Sequence, residues 1–468
     1  MINNDGTKLL NIEGASEKLK TYLKELYDDF NVSDDKIDQI IQRFHVEMQD
    51  GLEKDDGYLP MLPSFVTSRP TGEEKGTYLS LDLGGTNLRV CNVSLNGDST
   101  FGLVQQKYTI TNEAKSENLF DWIANCVDLF IVEHSLKPDH GKTMIPCGFT
   151  FSFPIIQSAI NRGTLLRWNK GFSVPNVVGR DVAVMTQNAF MRKHINVKIV
   201  AIVNDTVGSL MASGYVHPNT QMGIIFGTGT NGCYWEKREK ILKWNPKEDI
   251  PPFEEMILNM EWGAFDKISS TLPYTPHDNK LNRKSISHGL QVFEKMISGL
   301  YLGEVIRNAL LWLVDRRVLF EGRSSDTLNA ANKLDTAYVS SIVADKSPNL
   351  DDVKLIIEVT LSIPNTTLID RTVVQEVCKI IGLRANRLSA AAMCAVLLWR
   401  PEILDKELTV GIDGSMYEFY PGFEQGLINE TYRILGPERA KNVKLTLAKD
   451  GSGIGAAVVA MIACRDHT

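Results

Sequence analysis

Four segments carry the residue types most able to do chemistry, each joining a strand-like apolar run to glycines and small hydroxyl side chains. The first is Leu81-Asp82-Leu83-Gly84-Gly85-Thr86-Asn87-Leu88-Arg89. Its two glycines let backbone N–H groups come close to an anion, and Thr86, Asn87 and Arg89 add donors beside them. A plain β-hairpin with Gly-Gly at its turn accounts for the same residues without a ligand. Asp82 shifts that balance, because a carboxylate at a strand end beside an oxyanion cradle suits a water-mediated hold on Mg²⁺, which keeps several of its waters. The second segment, Ile225-Phe226-Gly227-Thr228-Gly229-Thr230-Asn231-Gly232, fits the spacing G-x-G-x-x-G. Cys233-Tyr234-Trp235 follows as strand, so a dinucleotide pyrophosphate would find no helix N-terminus, and a hairpin gripping phosphate fits better. The third, Val410-Gly411-Ile412-Asp413-Gly414-Ser415, repeats the form of the first. The fourth, Asp450-Gly451-Ser452-Gly453-Ile454-Gly455-Ala456, opens a helix predicted over 456–463. With Thr468 the last residue, no second strand or ribose-binding acid follows it, and a Rossmann unit is not expected there. No G-x-x-x-x-G-K-[ST] occurs, which disfavours a P-loop nucleotidase.

The elements that must position these turns follow from periodicity. Two amphipathic helices, with Leu19, Leu23, Leu26 and Phe30 and then Ile37, Ile40, Ile41, Phe44 and Met48 on their apolar faces, open the chain, and Ser33 is the expected N-cap of the second. A proline-bearing connector over 59–72 leads to strands at 78–83, 88–95 and 107–111, a helix at 118–133 and a strand at 144–151. A helix at 181–192, a strand at 197–203, a helix at 206–215 and a strand at 223–226 continue an α/β alternation. From 291 to 400 the period is helical, and strands return at 408–412 and 443–447. There is no short-period repeat.

Composition narrows the function classes. The 468 residues are 43% hydrophobic and 23% charged, which fits two or three ordinary domains. Fifty Lys and Arg against 57 Asp and Glu give a net charge of −7, with no basic run to track a phosphate backbone, so nucleic acid is not an expected partner. Seven scattered cysteines, an odd number, argue against a disulfide framework and for a reducing compartment. The segment Met1-Ile2-Asn3-Asn4-Asp5-Gly6 has no basic n-region or apolar h-region, and the apolar stretches at 388–399 and 456–463 fall short of the roughly 20 residues a bilayer span needs. A cytoplasmic protein without a membrane partner is expected.

With these pieces in order, the chain resembles the sugar-kinase branch of the actin-like ATPases, and within it the hexokinase family of the fungal hexokinase and glucokinase type, from about residue 30 to 463. The resemblance rests on the first segment, on Gly148-Phe149-Thr150-Phe151-Ser152-Phe153-Pro154, on Trp168-Asn169-Lys170-Gly171-Phe172 and on Asn204-Asp205-Thr206-Val207-Gly208. Glu261-Trp262-Gly263-Ala264-Phe265-Asp266 and Phe293-Glu294-Lys295-Met296-Ile297-Ser298-Gly299 complete it. It implies an α/β, two-domain, actin-like ATPase (ribonuclease H-like) fold with a cleft between a small and a large domain. Residues 1–77 would supply N-terminal helices and connector to the large domain, 78–205 with the C-terminal helix 453–468 the small domain, and 206–452 the rest of the large one.

The resemblance also implies ATP with Mg²⁺ carried by the nucleotide, a hexose acceptor, and a monomer or homodimer. Asp205 would be the general base, with helix capping as its structural alternative. Lys170 would neutralise charge on the transferred phosphoryl group, its alternative being a solvated surface lysine. Ser152, Asn169, Lys170, Asn204, Asp205, Asn231, Glu261 and Glu294 would surround the sugar with Gln291 nearby, because amides and carboxylates match hydroxyls that both donate and accept. Asp82, Gly84, Gly85, Thr86, Asn87, Arg89, Thr228, Gly414, Ser415 and Gly453 would hold the nucleotide. Two departures from the family pattern touch the sugar pocket: Asn169 stands where threonine or serine is usual, and His288 replaces the proline of a proline-glycine pair before Gln291. Glucose phosphorylation is therefore weighed against phosphorylation of N-acetylglucosamine, and against a catalytically silent sugar sensor on the same fold.

Overall fold

Leu79, Leu81 and Leu83 alternate with Ser80 and Asp82, yet all five are buried, as in a strand covered on both faces. The computed structural model describes residues 12–136, 144–168, 171–245 and 252–465. The N-terminal segment inspected for a targeting signal lies outside them, as do Asn169, Lys170 and the last three residues. Strand Lys75–Leu83 is the third of a five-stranded sheet ordered Phe101–Thr109, Asn87–Asn96, Lys75–Leu83, Ile145–Phe151, Val197–Val203, antiparallel through the first three and parallel thereafter. A six-stranded sheet runs Leu62–Pro63, Glu255–Asn259, Thr230–Lys237, Thr220–Phe226, Leu408–Asp413, Val443–Leu447. Past its short edge strand it repeats the first sheet's plan, three antiparallel strands followed by two parallel ones. The chain thus contains one architecture twice.

Among the described residues, three cores hold this together. One face of the five-stranded sheet packs under the helices Leu119–Glu133 and Val182–Arg192. The six-stranded sheet packs against a helical layer that includes Glu17–Phe30, Asp34–Glu53, Gly299–Asp315 and Leu368–Trp399. Between the sheets, helices Asp205–Val216 and Gly451–Arg465 share a third core with Cys91, Val93 and Val203 from one sheet and Cys233, Trp235 and Ile257 from the other. These two helices cross where neither has a side chain: a Cβ on Gly455 would lie 1.8 Å from the carbonyl oxygen of Gly208, and one on Gly208 would lie 2.8 Å from that of Ser452. Glycine is demanded there by contact rather than by turn geometry.

Several sequence expectations shift. Ser33 caps its helix, accepting from Lys36 N. The strand expected at 107–111 is Phe101–Thr109, and a hairpin of Ile155–Ala159 with Arg162–Leu165 was not foreseen. The last helix begins at Gly451, not 456, so its glycines are helical and packed instead of forming a preceding loop. The apolar stretch 388–399 is the end of a 32-residue helix that is long and apolar enough to cross a membrane, but 94% of its most apolar window is buried within the fold, which makes it a core helix. All seven cysteines are free thiols.

Candidate active site

Strand direction decides where the polar residues gather. In the five-stranded sheet the parallel strands end at Leu83, Phe151 and Val203, so Asp82 to Asn87, Ser152, and Asn204 with Asp205 emerge along one edge. In the other sheet the parallel neighbours Thr220–Phe226 and Leu408–Asp413 deliver Gly227-Thr228-Gly229 and Gly414-Ser415 side by side. Binding at the carboxyl ends of parallel strands is the general habit of open α/β sheets.

Around Asp205 the side chains form a connected network. Asn204, not Asp205, caps the helix: its Oδ1 accepts from Thr206 N at 3.0 Å and from Thr206 Oγ1 at 2.6 Å. Asp205 occupies the first helical position, half-buried, with its Oδ1 accepting from Thr206 N. Asn231, on the neighbouring hairpin strand, donates from Nδ2 to Asn259 Oδ1 at 2.7 Å, with longer contacts to Asn204 Oδ1 at 3.4 Å and Glu261 Oε1 at 3.3 Å. Its Oδ1 in turn accepts from Gly232 N and Trp262 N. Asn259 donates to Glu261 Oε1 at 2.8 Å, tying Glu261 to the chain. Glu261 sits in the left-handed region (φ 55), a conformation in which a non-glycine residue is uncommon, so this backbone is held by its surroundings. Trp262 wedges behind it, with Nε1 on Thr230 Oγ1.

Glu294 joins from the helix Val292–Ile297, its Oε2 accepting from Thr230 N at 3.0 Å. Gln291, also left-handed (φ 53), caps that helix, and its Oε1 is buried with no hydrogen-bond partner in the structure. An orphaned buried acceptor costs about 1–3 kcal/mol unless a ligand supplies the donor. Ser152, 9% exposed, follows Ile145–Phe151 on the same edge of the five-stranded sheet as Asn204 and Asp205. Asn169 and Lys170 lie outside the described residues. The residues flanking them are anchored: Trp168 stacks on Phe172 and on the edge of Phe153, and its Nε1 donates to Val174 O.

Most of the expected nucleotide residues fall at the two sets of turns, with Asp82 and Arg89 in the flanking strands and Gly453 in the C-terminal helix. Gly84 N donates to Asn87 O, so this turn closes as a hairpin, and Asn87 Nδ2 donates to Thr86 Oγ1. A Cβ at Gly84 would meet nothing nearer than 3.6 Å, so internal packing does not require glycine there. Gly414 is different: with φ 117, and Phe226 O 2.4 Å from where a Cβ would be, it lets the two turns of the second sheet touch. Thr228 and Ser415 are exposed at those turns. Gly453 is buried in the C-terminal helix, 3.2 Å from Cys91 Sγ at the Cβ position. Arg89, expected to add donors toward an anion, directs them to the carboxylates of Asp82 (2.7 Å) and Asp450. Ser452 Oγ also donates to Asp82 Oδ2 at 2.8 Å, so the carboxylate is fixed by a strand neighbour and a helix.

Three residues escaped the sequence reading. Asn259 is the hub between Asn231 and Glu261, and its only signal was one amide inside the apolar run Met256 to Met260. Ser452 was read as part of a glycine turn. Asp413, beside Gly414, has its carboxyl pushed up to about 6 by burial, with repulsion from Asp82 and Asp450 opposed by Arg89 and the Gly414 N–H.

Residues 22–215 and 221–462 match two family models, both described as hexokinase. The chain is 39% identical over 451 residues to Hexokinase-1 of Schizosaccharomyces pombe, covering 96% of this chain and 92% of that one. It is 39% identical over 459 residues to a glucokinase of Aspergillus niger, covering 90% and 92%. Among solved structures, a Schistosoma mansoni hexokinase complexed with glucose matches with a TM-score of 0.84 at 34% identity, over 95% of this chain and 99% of that chain.

Proposed function

The chain belongs to the hexokinase family, phosphotransferases that act on a hydroxyl group, with that family's two-domain α/β fold. From that premise we propose that it transfers the γ-phosphoryl group of Mg-ATP to the 6-hydroxyl of glucose, with Asp205 as general base. The observation that carries the reading is the hydrogen-bonded run Asn204–Asn231–Asn259–Glu261, which begins one residue from Asp205 and leaves a half-buried carboxylate beside a wall of amides.

In this reading Ser152, Asn169, Asn204, Asn231, Glu261, Gln291 and Glu294 orient the sugar, and the unpartnered Gln291 Oε1 accepts from a sugar hydroxyl. The Asp205 carboxylate takes the proton of the 6-hydroxyl as its oxygen bonds to the γ-phosphorus and the bond to the ADP oxygen breaks. Lys170 balances charge on the transferred group. Gly84, Gly85, Thr86 and Asn87 face the nucleotide from one sheet, and Thr228, Gly414 and Ser415 from the other, while Arg89 and Gly453 support that wall from behind. Bound Mg²⁺ would neutralise charge on the phosphates, and Asp82, with Oδ2 already taken by Ser452 and Arg89, suits a hold through water. Domain limits at 77/78 and 205/206, with the C-terminal helix added to the small domain, form part of the same proposal. Seven free thiols fit a reducing, cytoplasmic setting, for a monomer or homodimer.

The test is a coupled ADP-release assay with glucose, fructose, mannose and N-acetylglucosamine offered separately. The expected result is the highest kcat/KM with glucose. A preference for N-acetylglucosamine would overturn the assignment of substrate and direct attention to Asn169 and His288.

A further inference from the structure

Lys295 follows Glu294 in sequence but serves a different neighbourhood. Its side chain is 3% exposed, and Nζ donates to Asn282 Oδ1 at 2.8 Å, Ser287 O at 2.6 Å and Leu290 O at 2.8 Å. An ammonium has three donors, and all three are spent on neutral oxygens. Asn282 Oδ1 also accepts from Gly289 N at 3.1 Å, and Leu290 N donates to Ser287 O at 3.0 Å. Residues 285–290, which link the helix Pro276–Lys284 to Val292–Ile297, are thus drawn around one buried cation.

A cation in this position needs a reason. Burying an ammonium is costly, and an apolar side chain of the same length would fill the space without that cost. Burial pulls the Lys295 pKa down to about 8, with the charge of Glu294 opposing the shift. Beyond the clasp the loop is held by short-range bonds such as Ser285 Oγ to Asn282 O and Leu290 N to Ser287 O; there is no proline from 277 to 290, Gly289 sits at φ 73, and Ile286 and His288 are exposed. The loop runs directly into Gln291 and, one turn on, Glu294, whose Oε2 is held by Thr230 N.

We infer that Lys295 and Asn282 form a clasp that sets the 285–290 loop and thereby the placement of Gln291 and Glu294 on the hexose. Both are positioning residues, and the inference rests on the proposed sugar site. Losing the clasp weakens hold on the sugar alike in the ground and transition states, so it acts on the sugar KM and not on kcat or the ATP KM.

The experiment compares Lys295→Met, Asn282→Ala, the double variant and Asn282→Asp in the full chain, with glucose and Mg-ATP varied in turn and melting temperature recorded. Each removal should raise the glucose KM about tenfold with kcat and the ATP KM near wild type, as expected for a lost hydrogen bond to a charged group. The double variant should match the singles instead of multiplying them, since both break one unit. Asn282→Asp, which keeps the acceptor, should restore the wild-type KM to within about threefold. A glucose KM unchanged in Asn282→Ala, or effects that multiply in the double variant, would overturn the clasp. Should Lys295→Met fail to fold, the contrast between Asn282→Ala and Asn282→Asp decides the matter: a raised KM restored by Asp supports the clasp, and equal values overturn it. Wild-type protein that turns over no hexose would instead overturn the sugar-kinase reading, and the clasp with it.

Discussion

Gly455→Ala perturbs the contact through which the two sheets are joined. A Cβ there would lie 1.8 Å from Gly208 O and 2.4 Å from Gly208 C, where ordinary contact begins at 3.4 Å, so the helices must part by about 1.6 Å. The obstacle is backbone and cannot rotate aside. Overpacking of this kind costs about 3 kcal/mol, and the better helix propensity of alanine returns only about 1 kcal/mol. The larger consequence is geometric. Gly208 is three residues from Asp205, and Ser452, one turn before Gly455, holds Asp82, so separation of the helices moves the proposed base relative to the proposed nucleotide wall. A displacement of about 1 Å in such a site lowers turnover by up to about 100-fold. Steady-state kinetics and a thermal melt read both effects. The control is Gly102→Ala, where the nearest atom to the new Cβ is 3.7 Å away and no loss is expected. Wild-type kcat and melting temperature in Gly455→Ala would refute the reasoning.

Two further outcomes follow from buried charge. His277, stacked on Phe30 and edge-on to Trp312, is held at about 4 by burial, against an ordinary 6.5. Its neutral form is favoured in the fold, so its contribution is present above pH 6.5 and is lost as pH falls through 4, a change of about 3 kcal/mol. Urea midpoints between pH 7 and 4 should therefore fall less steeply in His277→Phe than in wild type; identical slopes would contradict the assignment. Arg384 makes two bonds to Asp278, at 2.6 and 2.8 Å, in a fully buried pair that ties the helix Pro276–Lys284 to the 32-residue helix. Although burial pushes the Asp278 carboxyl up, Arg384's charge and hydrogen bonds outweigh it and hold it below the usual range. Arg384→Met should cost about 3–5 kcal/mol, and adding Asp278→Leu should recover much of it. A denaturation series on the single and double variants checks this, and equal losses in both would be the adverse result.

The strands, the glycine turns at their ends and the main helices were legible because period-2 and period-3.6 patterns are local. The repeated sheet plan was not, since it is a property of strand order, which a short-range pattern does not encode. The start of the last helix was hidden by Gly451, Gly453 and Gly455: propensity argues against helix there, and contacts with Ser209, Cys91 and Gly208 override it. Candidate site residues at strand ends, such as Asp205 and Asn204, could be picked out from residue type, though which of the pair caps the helix required coordinates. Asn259 bonds Asn231, 28 residues away, and Lys295 bonds a loop that precedes it; Lys295 lies within a segment that could be singled out by type, but the partners of both residues could not be read from the sequence.

The proposed phosphoryl transfer depends on a carboxylate that removes the proton from a sugar hydroxyl, and Asp205→Asn tests this with least change in shape. The measurement is glucose-dependent ADP formation by wild type and variant, with nucleotide binding recorded alongside. The predicted result is glucose-dependent turnover in the wild type and a fall in kcat of about 10²- to 10⁴-fold in the variant, with ATP affinity retained. Turnover in Asp205→Asn within a few-fold of wild type would contradict the assignment of the base.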